Sequence, residues 1–126
     1  MSNLPLKILI VDDDETMQKL VSFIAKKIGD VEIAENGKIG VQKAGLFQPG
    51  LILMDMQMPV MDGLTAVKTI RESAGPESKA KIVAMTGEDS DEEKTKILQA
   101  GCDDIITKPF DPMSLFSRLK EILNLS

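Results

Sequence analysis

Residues 51–63 read LILMDMQMPVMDG, and the four apolar residues from Leu51 to Met54 run directly into Asp55. Consecutive apolar residues are typical of a strand that is covered on both faces, as in a parallel sheet. A carboxylate without a partner is costly beside such a strand. An apolar run that ends in Asp is common, however, so the role of Asp55 depends on what the rest of the chain brings to it.

Short apolar runs alternate with helical patterns on both sides of this stretch. Further strands are predicted at residues 8–11, 31–34, 82–85 and 105–106. Apolar spacing and helix start signals predict helices between Met17 and Ile28 and over residues 37–47, 63–73, 91–100 and 112–124. Five βα units in succession predict an α/β fold, with helices on both faces of one parallel sheet. No linker interrupts the pattern, so residues 1–126 are expected to form a single domain.

Local signals mark where the helices begin. Asp14, Asp62 and Ser90 precede helical patterns as N-caps, and Asp111-Pro112 is an N-cap followed by proline at the first helical position. Asn36-Gly37 is predicted to be a turn. Residues 72–80 are expected to form the longest loop.

The composition excludes several classes of function. The 126 residues are 43% hydrophobic with no Trp or Tyr, which predicts a folded domain with an aliphatic core. A net charge of −5 argues against direct binding of nucleic acid. The chain has no His, which removes His-dependent nucleophilic catalysis and His metal ligands, and Cys102 is the only cysteine. No signal peptide or membrane span is evident, so a cytoplasmic location is expected.

Chemically useful residues follow four of the five predicted strands. In open parallel sheets, ligands bind beyond the carboxyl ends of the strands. The residues at these positions are Asp12, Asp13 and Asp14, then Asp55, then Thr86, then Thr107, Lys108 and Pro109. Carboxylates gathered at one sheet edge repel one another, and hard oxygen ligands suit Mg²⁺. A carboxylate beside Mg²⁺, a lysine and a hydroxyl can accept a phosphoryl group.

The same segments resemble the receiver domain of two-component response regulators. Residues 8–14 are similar to its first strand and acidic pair, residues 51–63 to its phosphoacceptor strand and loop, and residues 83–87 and 101–110 to its switch-hydroxyl and lysine segments. The match covers nearly the whole chain in order. It implies a doubly wound, flavodoxin-like (βα)5 fold with strand order 2-1-3-4-5.

The resemblance also implies a role for each residue of the site. Asp55 becomes aspartyl phosphate, Thr86 moves to hydrogen-bond the phosphoryl group, and Lys108 pairs with a phosphoryl oxygen. Mg²⁺ is held by Asp13, Asp55 and the backbone carbonyl of Gln57, with Asp12 in support. The Lys108-Pro109 peptide bond is expected to be cis.

The implied function is phosphorelay signalling rather than classical enzyme catalysis. The donor would be a sensor histidine kinase or a histidine phosphotransfer protein, and the output a protein-docking surface. Self-phosphorylation and self-dephosphorylation are the most activity expected. The downstream protein is not indicated, and both a monomer and a phosphorylation-dependent dimer are compatible with the sequence.

Two features bear on how the signal is read. Many receivers carry Tyr or Phe three residues before the lysine, where this chain has Ile105. We therefore expect phosphorylation still to move Thr86, while the output surface responds differently or less. Gln57 and Glu88 lie two residues beyond Asp55 and Thr86, and their placement predicts an influence on phosphoryl lifetime.

Two other functions fit parts of the sequence. Residues 12–16 also match the D-x-D-x-T pattern of haloacid-dehalogenase-like phosphohydrolases, which would use Asp12 and Asp14, but that reading leaves Asp55 without a role. An interaction module that is never phosphorylated is the other alternative, and the complete set of site residues argues against it. A P-loop NTPase is excluded because the G-x-x-x-x-G-K-[ST] pattern is absent.

Overall fold

The computed structural model describes residues 6–58, 61–87 and 90–125. Strands and helices alternate as predicted. The strands are β1 Leu6–Val11, β2 Gly29–Ala34, β3 Leu51–Asp55, β4 Lys81–Thr86 and β5 Asp104–Thr107. The helices are α1 Glu15–Ala25, α2 Gly37–Phe47, α3 Gly63–Arg71, α4 Asp91–Ala100 and α5 Pro112–Ile122. No helix in these ranges is long and apolar enough to cross a membrane.

The strands form one parallel sheet in the order β2-β1-β3-β4-β5, which confirms the predicted topology. Alternate side chains of each central strand enter two separate cores. On β3, Ile52 and Met54 pack with α2, α3 and α4, whereas Leu51 and Leu53 pack with α1 and α5. Both faces of β3 are therefore covered, which explains its uninterrupted apolar sequence. The largest fully buried side chains are all Ile, Leu or Met, as the composition predicted.

The predicted helix starts are confirmed by side-chain caps. Asp14, Asp62, Ser90 and Asp111 each accept a hydrogen bond from a backbone N–H of the first turn. Asn36 does the same for α2, accepting from the N–H of Ile39 at 2.8 Å, so the predicted turn is a helix start.

The predicted helix ends are less accurate. The third helix ends at Arg71 rather than residue 73, and the predicted loop over 72–80 contains a short 3₁₀ helix at Pro76–Lys79. The last helix ends at Ile122, two residues before the predicted end.

Candidate functional site

The register of the sheet brings the predicted site residues together. Val11 pairs with Met54 across β1 and β3, so Asp12 and Asp55 each come one position beyond a paired residue. Asp55 pairs with Met85 on β4, and Thr86 pairs with Thr107 on β5. The carboxyl ends of four strands therefore meet at one edge, as the sequence predicted.

Three carboxylates form a cluster at this edge. Oxygens of Asp12, Asp13 and Asp55 lie within 4.8 Å of one another. Asp12 and Asp55 are buried, whereas Asp13 is exposed. Like charges this close and partly removed from water repel strongly, so the cluster needs a cation.

Lys108 supplies one positive charge. Its Nζ lies 3.3 Å from Asp55 Oδ1 and 3.9 Å from Asp12 Oδ2. The backbone N–H of Lys108 donates to the carbonyl of Thr86 at 2.7 Å, which fixes where the lysine leaves the sheet. The Lys108-Pro109 peptide bond is cis, as expected.

Asp12 has one oxygen that is hydrogen-bonded and one that is not. Its Oδ1 accepts from the backbone N–H of Asp14 at 2.9 Å. Its Oδ2 is buried, and no described residue donates a hydrogen bond to it. Burial raises the pKa of Asp12 from 3.8 to about 6. The charges of Asp55 and Asp13 add to the rise, while the Asp14 N–H and Lys108 oppose it.

This donor set fits Mg²⁺. Three carboxylates face one lysine, so the charge at this edge is not neutralised by the protein side chains described. The buried Asp12 Oδ2, to which no residue of the described ranges donates, can bind a cation or a water molecule bound to a cation. Mg²⁺ prefers a few carboxylates together with water and phosphate oxygens.

Thr86 and Gln57 lie beside the cluster. Thr86 is buried at the last position of β4. Gln57 is exposed, and its backbone N–H donates to Asp55 Oδ1 at 3.1 Å, which orients the Asp55 carboxylate. Ile105 is half-buried on β5 and packs against the core under α2, α3 and α4. Glu88 lies outside the described residues, so its predicted influence on phosphoryl lifetime stays a prediction.

One residue beside the site, Gln18, was not predicted from the sequence. The side-chain amide of Gln18 donates to the backbone carbonyl of Asp12 at 2.7 Å. Gln18 lies within the apolar stripe of α1 and is half-buried. A polar residue on the inward side of a helix was the available signal, since such groups need a hydrogen-bond partner.

The chain is similar to a known domain family and to several curated proteins. The profile of the response regulator receiver domain matches residues 8–120. The chain is 34% identical over 119 residues to the chemotaxis protein CheY of Halobacterium salinarum, covering 93% of this chain and 96% of that protein. It is 44% identical over 107 residues to hybrid signal transduction histidine kinase G of Dictyostelium discoideum, covering 82% of this chain but 3% of that protein.

A third relative is the alkaline phosphatase synthesis transcriptional regulatory protein PhoP of Bacillus subtilis. It is 35% identical over 121 residues, covering 95% of this chain and 49% of that protein. The chain therefore spans half or less of the kinase and of PhoP, but nearly the full length of CheY.

Solved structures of receiver proteins have the same fold as this chain. The chemotaxis protein CheY4 of Vibrio cholerae superposes with a TM-score of 0.87 at 31% identity, covering 94% of this chain and 98% of that one. The receiver domain of sensor histidine kinase PA1611 of Pseudomonas aeruginosa gives a TM-score of 0.84 at 28% identity, covering 95% and 98%. That neighbour has a magnesium ion coordinated in its active site cleft.

Proposed function

This chain belongs to the response regulator receiver family of two-component systems, and on that premise we propose that Asp55 accepts a phosphoryl group from a phosphohistidine donor. Receiver domains are signalling phosphoacceptors rather than classical enzymes. The observation that carries the proposal is the placement of Asp55, a buried carboxylate at the end of β3 with Lys108 Nζ 3.3 Å from its Oδ1.

In the proposed transfer, a carboxylate oxygen of Asp55 attacks phosphorus. The phosphorus–nitrogen bond of the donor breaks, its electron pair returns to the imidazole, and an acyl phosphate forms on Asp55. The Lys108 ammonium offsets the negative charge of the transferred group, since the catalysis of such transfers is mostly positioning and charge stabilisation. The Thr86 hydroxyl then donates to a phosphoryl oxygen.

Asp12, Asp13, Asp55 and the backbone carbonyl of Gln57 would hold Mg²⁺. When bound, the ion neutralises charge on the carboxylates and on the phosphoryl oxygens. The protein's own part is to hold the carboxylates at one edge and to keep Asp12 Oδ2 free of competing donors among the described residues. Gln57 and Glu88 are proposed to tune how long the acyl phosphate lasts, because they come two residues after Asp55 and Thr86 in the sequence.

The proposed donor is a histidine kinase or a histidine phosphotransfer protein. We also propose that residues 1–126 form one receiver domain, whose output is a protein-docking surface. The domain acts as a monomer or as a phosphorylation-dependent dimer. Its own catalysis is limited to self-phosphorylation and self-dephosphorylation. The cytoplasmic location stays a prediction.

The phosphohydrolase alternative has no support. The family that matches is the receiver domain, and the full-length relatives are CheY proteins. Asp14, which that reading needs at the active site, caps α1 by accepting from the backbone N–H of Thr16 at 3.0 Å.

Incubation with acetyl phosphate and Mg²⁺, followed by intact mass measurement, tests the proposal. We expect a gain of one phosphoryl group, lost in Asp55→Asn and in the presence of a chelator. Asp30→Asn is the matched control, because Asp30 is an exposed acid on edge strand β2, and it should be phosphorylated normally. An unmodified protein that gains no mass, or an Asp55→Asn variant that still does, would refute the assignment.

A further inference from the structure

Gln18 connects α1 to the loop that carries the acidic residues. Its backbone N–H donates to the carbonyl of Asp14 at 2.9 Å, in the first turn of the helix. Its side chain turns back along the helix, and Nε2 donates to the carbonyl of Asp12 at 2.7 Å. Gln18, a residue of helix α1, is thus hydrogen-bonded to Asp12, a residue of the site that lies six positions earlier in the chain.

Asp12 needs this contact because it lies beyond the end of β1. Its N–H still donates to the carbonyl of Ala34 at 3.0 Å, on the neighbouring strand. Its own carbonyl comes after the last residue of β1 and is bonded by Gln18 instead. Buried backbone carbonyls are nearly always paired, so Gln18 completes the backbone pairing of a fully buried residue.

The contact holds the loop backbone from which the carboxylates of Asp12 and Asp13 extend. The peptide unit from the Asp12 carbonyl to the Asp13 N–H is planar, so holding the carbonyl oxygen holds the plane that leads into Asp13. On the other side, the Asp14 N–H holds Asp12 Oδ1 and leaves Oδ2 directed toward Lys108, 3.9 Å away. Two of the three clustered carboxylates, those of Asp12 and Asp13, are thus attached to a backbone segment that Gln18 holds.

We propose that Gln18 is a positioning residue that sets the Mg²⁺ affinity of the acidic cluster through its hydrogen bond to the Asp12 carbonyl. The inference rests on the proposed function, since it assumes that the cluster binds Mg²⁺. Gln18 does not touch the phosphoryl group in this scheme. Its loss therefore weakens metal binding and leaves the transfer step intact once metal is saturating. Groups that orient metal ligands change affinity about 10-fold or more when removed.

The test compares Gln18→Met with Gln42→Met by titrating each protein with MgCl₂ and following amide NMR shifts, with no phosphodonor present. Met is close to Gln in length and helix propensity and cannot donate. Gln42 is an exposed glutamine on α2 and serves as the matched control. We expect the Kd for Mg²⁺ to rise about 10-fold in Gln18→Met and to stay unchanged in Gln42→Met. The rate of phosphorylation by acetyl phosphate should recover at saturating Mg²⁺.

An unchanged Kd in Gln18→Met would overturn the inference, and so would a phosphorylation defect that saturating Mg²⁺ does not repair. Gln18→Glu is the second variant, used also where Gln18→Met does not fold. Glu keeps the shape of Gln and adds a negative charge, which by itself favours binding of a cation. Weaker Mg²⁺ binding in Gln18→Glu would therefore be due to the loss of the hydrogen-bond donor. The unmodified protein separates the two proposals. If it shows no Mg²⁺ binding, the proposed function fails, whereas normal binding in both it and the Gln18 variants removes the inference alone.

Discussion

The two ends of the sheet differ in how completely their charged side chains are paired. At the carboxyl ends of β1 and β3, three carboxylates face one lysine, and the buried Oδ2 of Asp12 has no hydrogen-bond donor among the described residues. At the amino ends of β4 and β5, Arg71 is surrounded by acceptors. Its side chain bonds Gly101 O at 2.8 Å, Ser78 O at 2.8 Å, Ala80 O at 2.7 Å and Asp103 Oδ2 at 2.9 Å.

Asp103 extends the network of Arg71 into the sheet. Its Oδ2 also accepts from the backbone N–H of Ile82 at 2.8 Å, and its own N–H donates to the Ile82 carbonyl at 2.7 Å. Gly101 is required here, because its φ is +121° and a Cβ would lie 2.8 Å from Arg71 Cγ. One guanidinium therefore ties together the end of α3, the end of α4 and the starts of two strands.

The Arg71 end of the sheet has its polar groups paired, whereas the acidic end has a buried oxygen without a donor among the described residues. Buried polar groups normally find partners, and the Arg71 end follows that rule. The acidic end departs from it, and such departures concentrate at functional sites, where the structure elsewhere supports them. Mutations at the two ends should therefore change stability in opposite directions.

The largest effect is expected from Arg71→Met. Met keeps the apolar part of the side chain but leaves the carbonyls of Ala80, Ser78 and Gly101 without their donor. Unsatisfied groups of this kind cost about 1–3 kcal/mol each when buried. Because these carbonyls are only partly shielded from water, we expect the free energy of unfolding to fall by about 3 kcal/mol in total. Denaturant titration measures this.

The control for Arg71→Met is Lys68→Met, a basic residue exposed on the same helix. Its stability should change by less than about 0.5 kcal/mol. The folded Arg71→Met protein should still accept a phosphoryl group on Asp55. A variant as stable as the control would mean that the Arg71 hydrogen bonds contribute little beyond what water supplies.

The opposite sign is expected for Asp12→Asn in metal-free protein. Asn can still accept from the Asp14 N–H, and it removes a buried negative charge next to Asp55. A pKa raised from 3.8 to about 6 means that folding with Asp12 charged is unfavourable. A shift of that size corresponds to at most about 3 kcal/mol, so we expect Asp12→Asn to be more stable by about 2 kcal/mol at pH 8. Asp13→Asn, an exposed acid in the same loop, should change stability much less.

The pH dependence of the Asp12→Asn difference follows from the direction of the shift. Between pH 3.8 and about pH 6 the folded protein binds a proton on Asp12 that the unfolded chain has released, so stability falls as the pH rises through this window. Above about pH 6 the full cost remains. The stability difference between Asp12→Asn and the unmodified protein should therefore shrink below pH 6 and vanish below pH 4, and Mg²⁺ should narrow it at pH 8. A variant less stable than the unmodified protein at pH 8 would show that the attraction of Lys108, 3.9 Å away, outweighs the cost of burying the Asp12 charge.

The sequence predicted the acidic end of the sheet better than the Arg71 end. Asp12, Asp55 and Lys108 follow apolar strands, and the geometry of parallel sheets places strand ends together. The caps at Asp14 and Asp62 were also predictable, since they depend on residues only two or three positions away.

Gln18 and Arg71 could not be predicted in the same way. Their hydrogen bonds go mainly to backbone carbonyls, which every residue has, so no side-chain pattern announces the partner. Arg71 also reaches residues about 30 positions away, and those contacts depend on how α3 and α4 pack. The contrast between buried Asp12 and exposed Asp13 is equally hidden, because it depends on which way successive residues face as the strand ends.

The smallest effect concerns Ile105, which lies on β5 between the two ends. Its side chain is half-buried and its Cα pairs with that of Ala84 on β4. An aliphatic side chain here has no ring to reorient with the movement of Thr86 that the receiver resemblance implies. With beryllofluoride as a phosphoryl mimic, we expect amide NMR shifts near Thr86 and Thr107 and smaller ones across α4 and the rest of β5. Ile105→Tyr should enlarge the distant shifts while changing stability by less than about 1 kcal/mol.

The Arg71 network predicts where along β5 the NMR shifts should become smaller. It holds Asp103, directly before β5, to the backbone of Ile82 and so anchors the amino end of that strand. Movement that begins at Thr107 should therefore fade toward Asp103, and it should reach further in Arg71→Met than in Lys68→Met. Shifts of full size along β5 and α4 in the unmodified protein would contradict both parts, because neither Ile105 nor the Arg71 network would then limit how far the signal spreads.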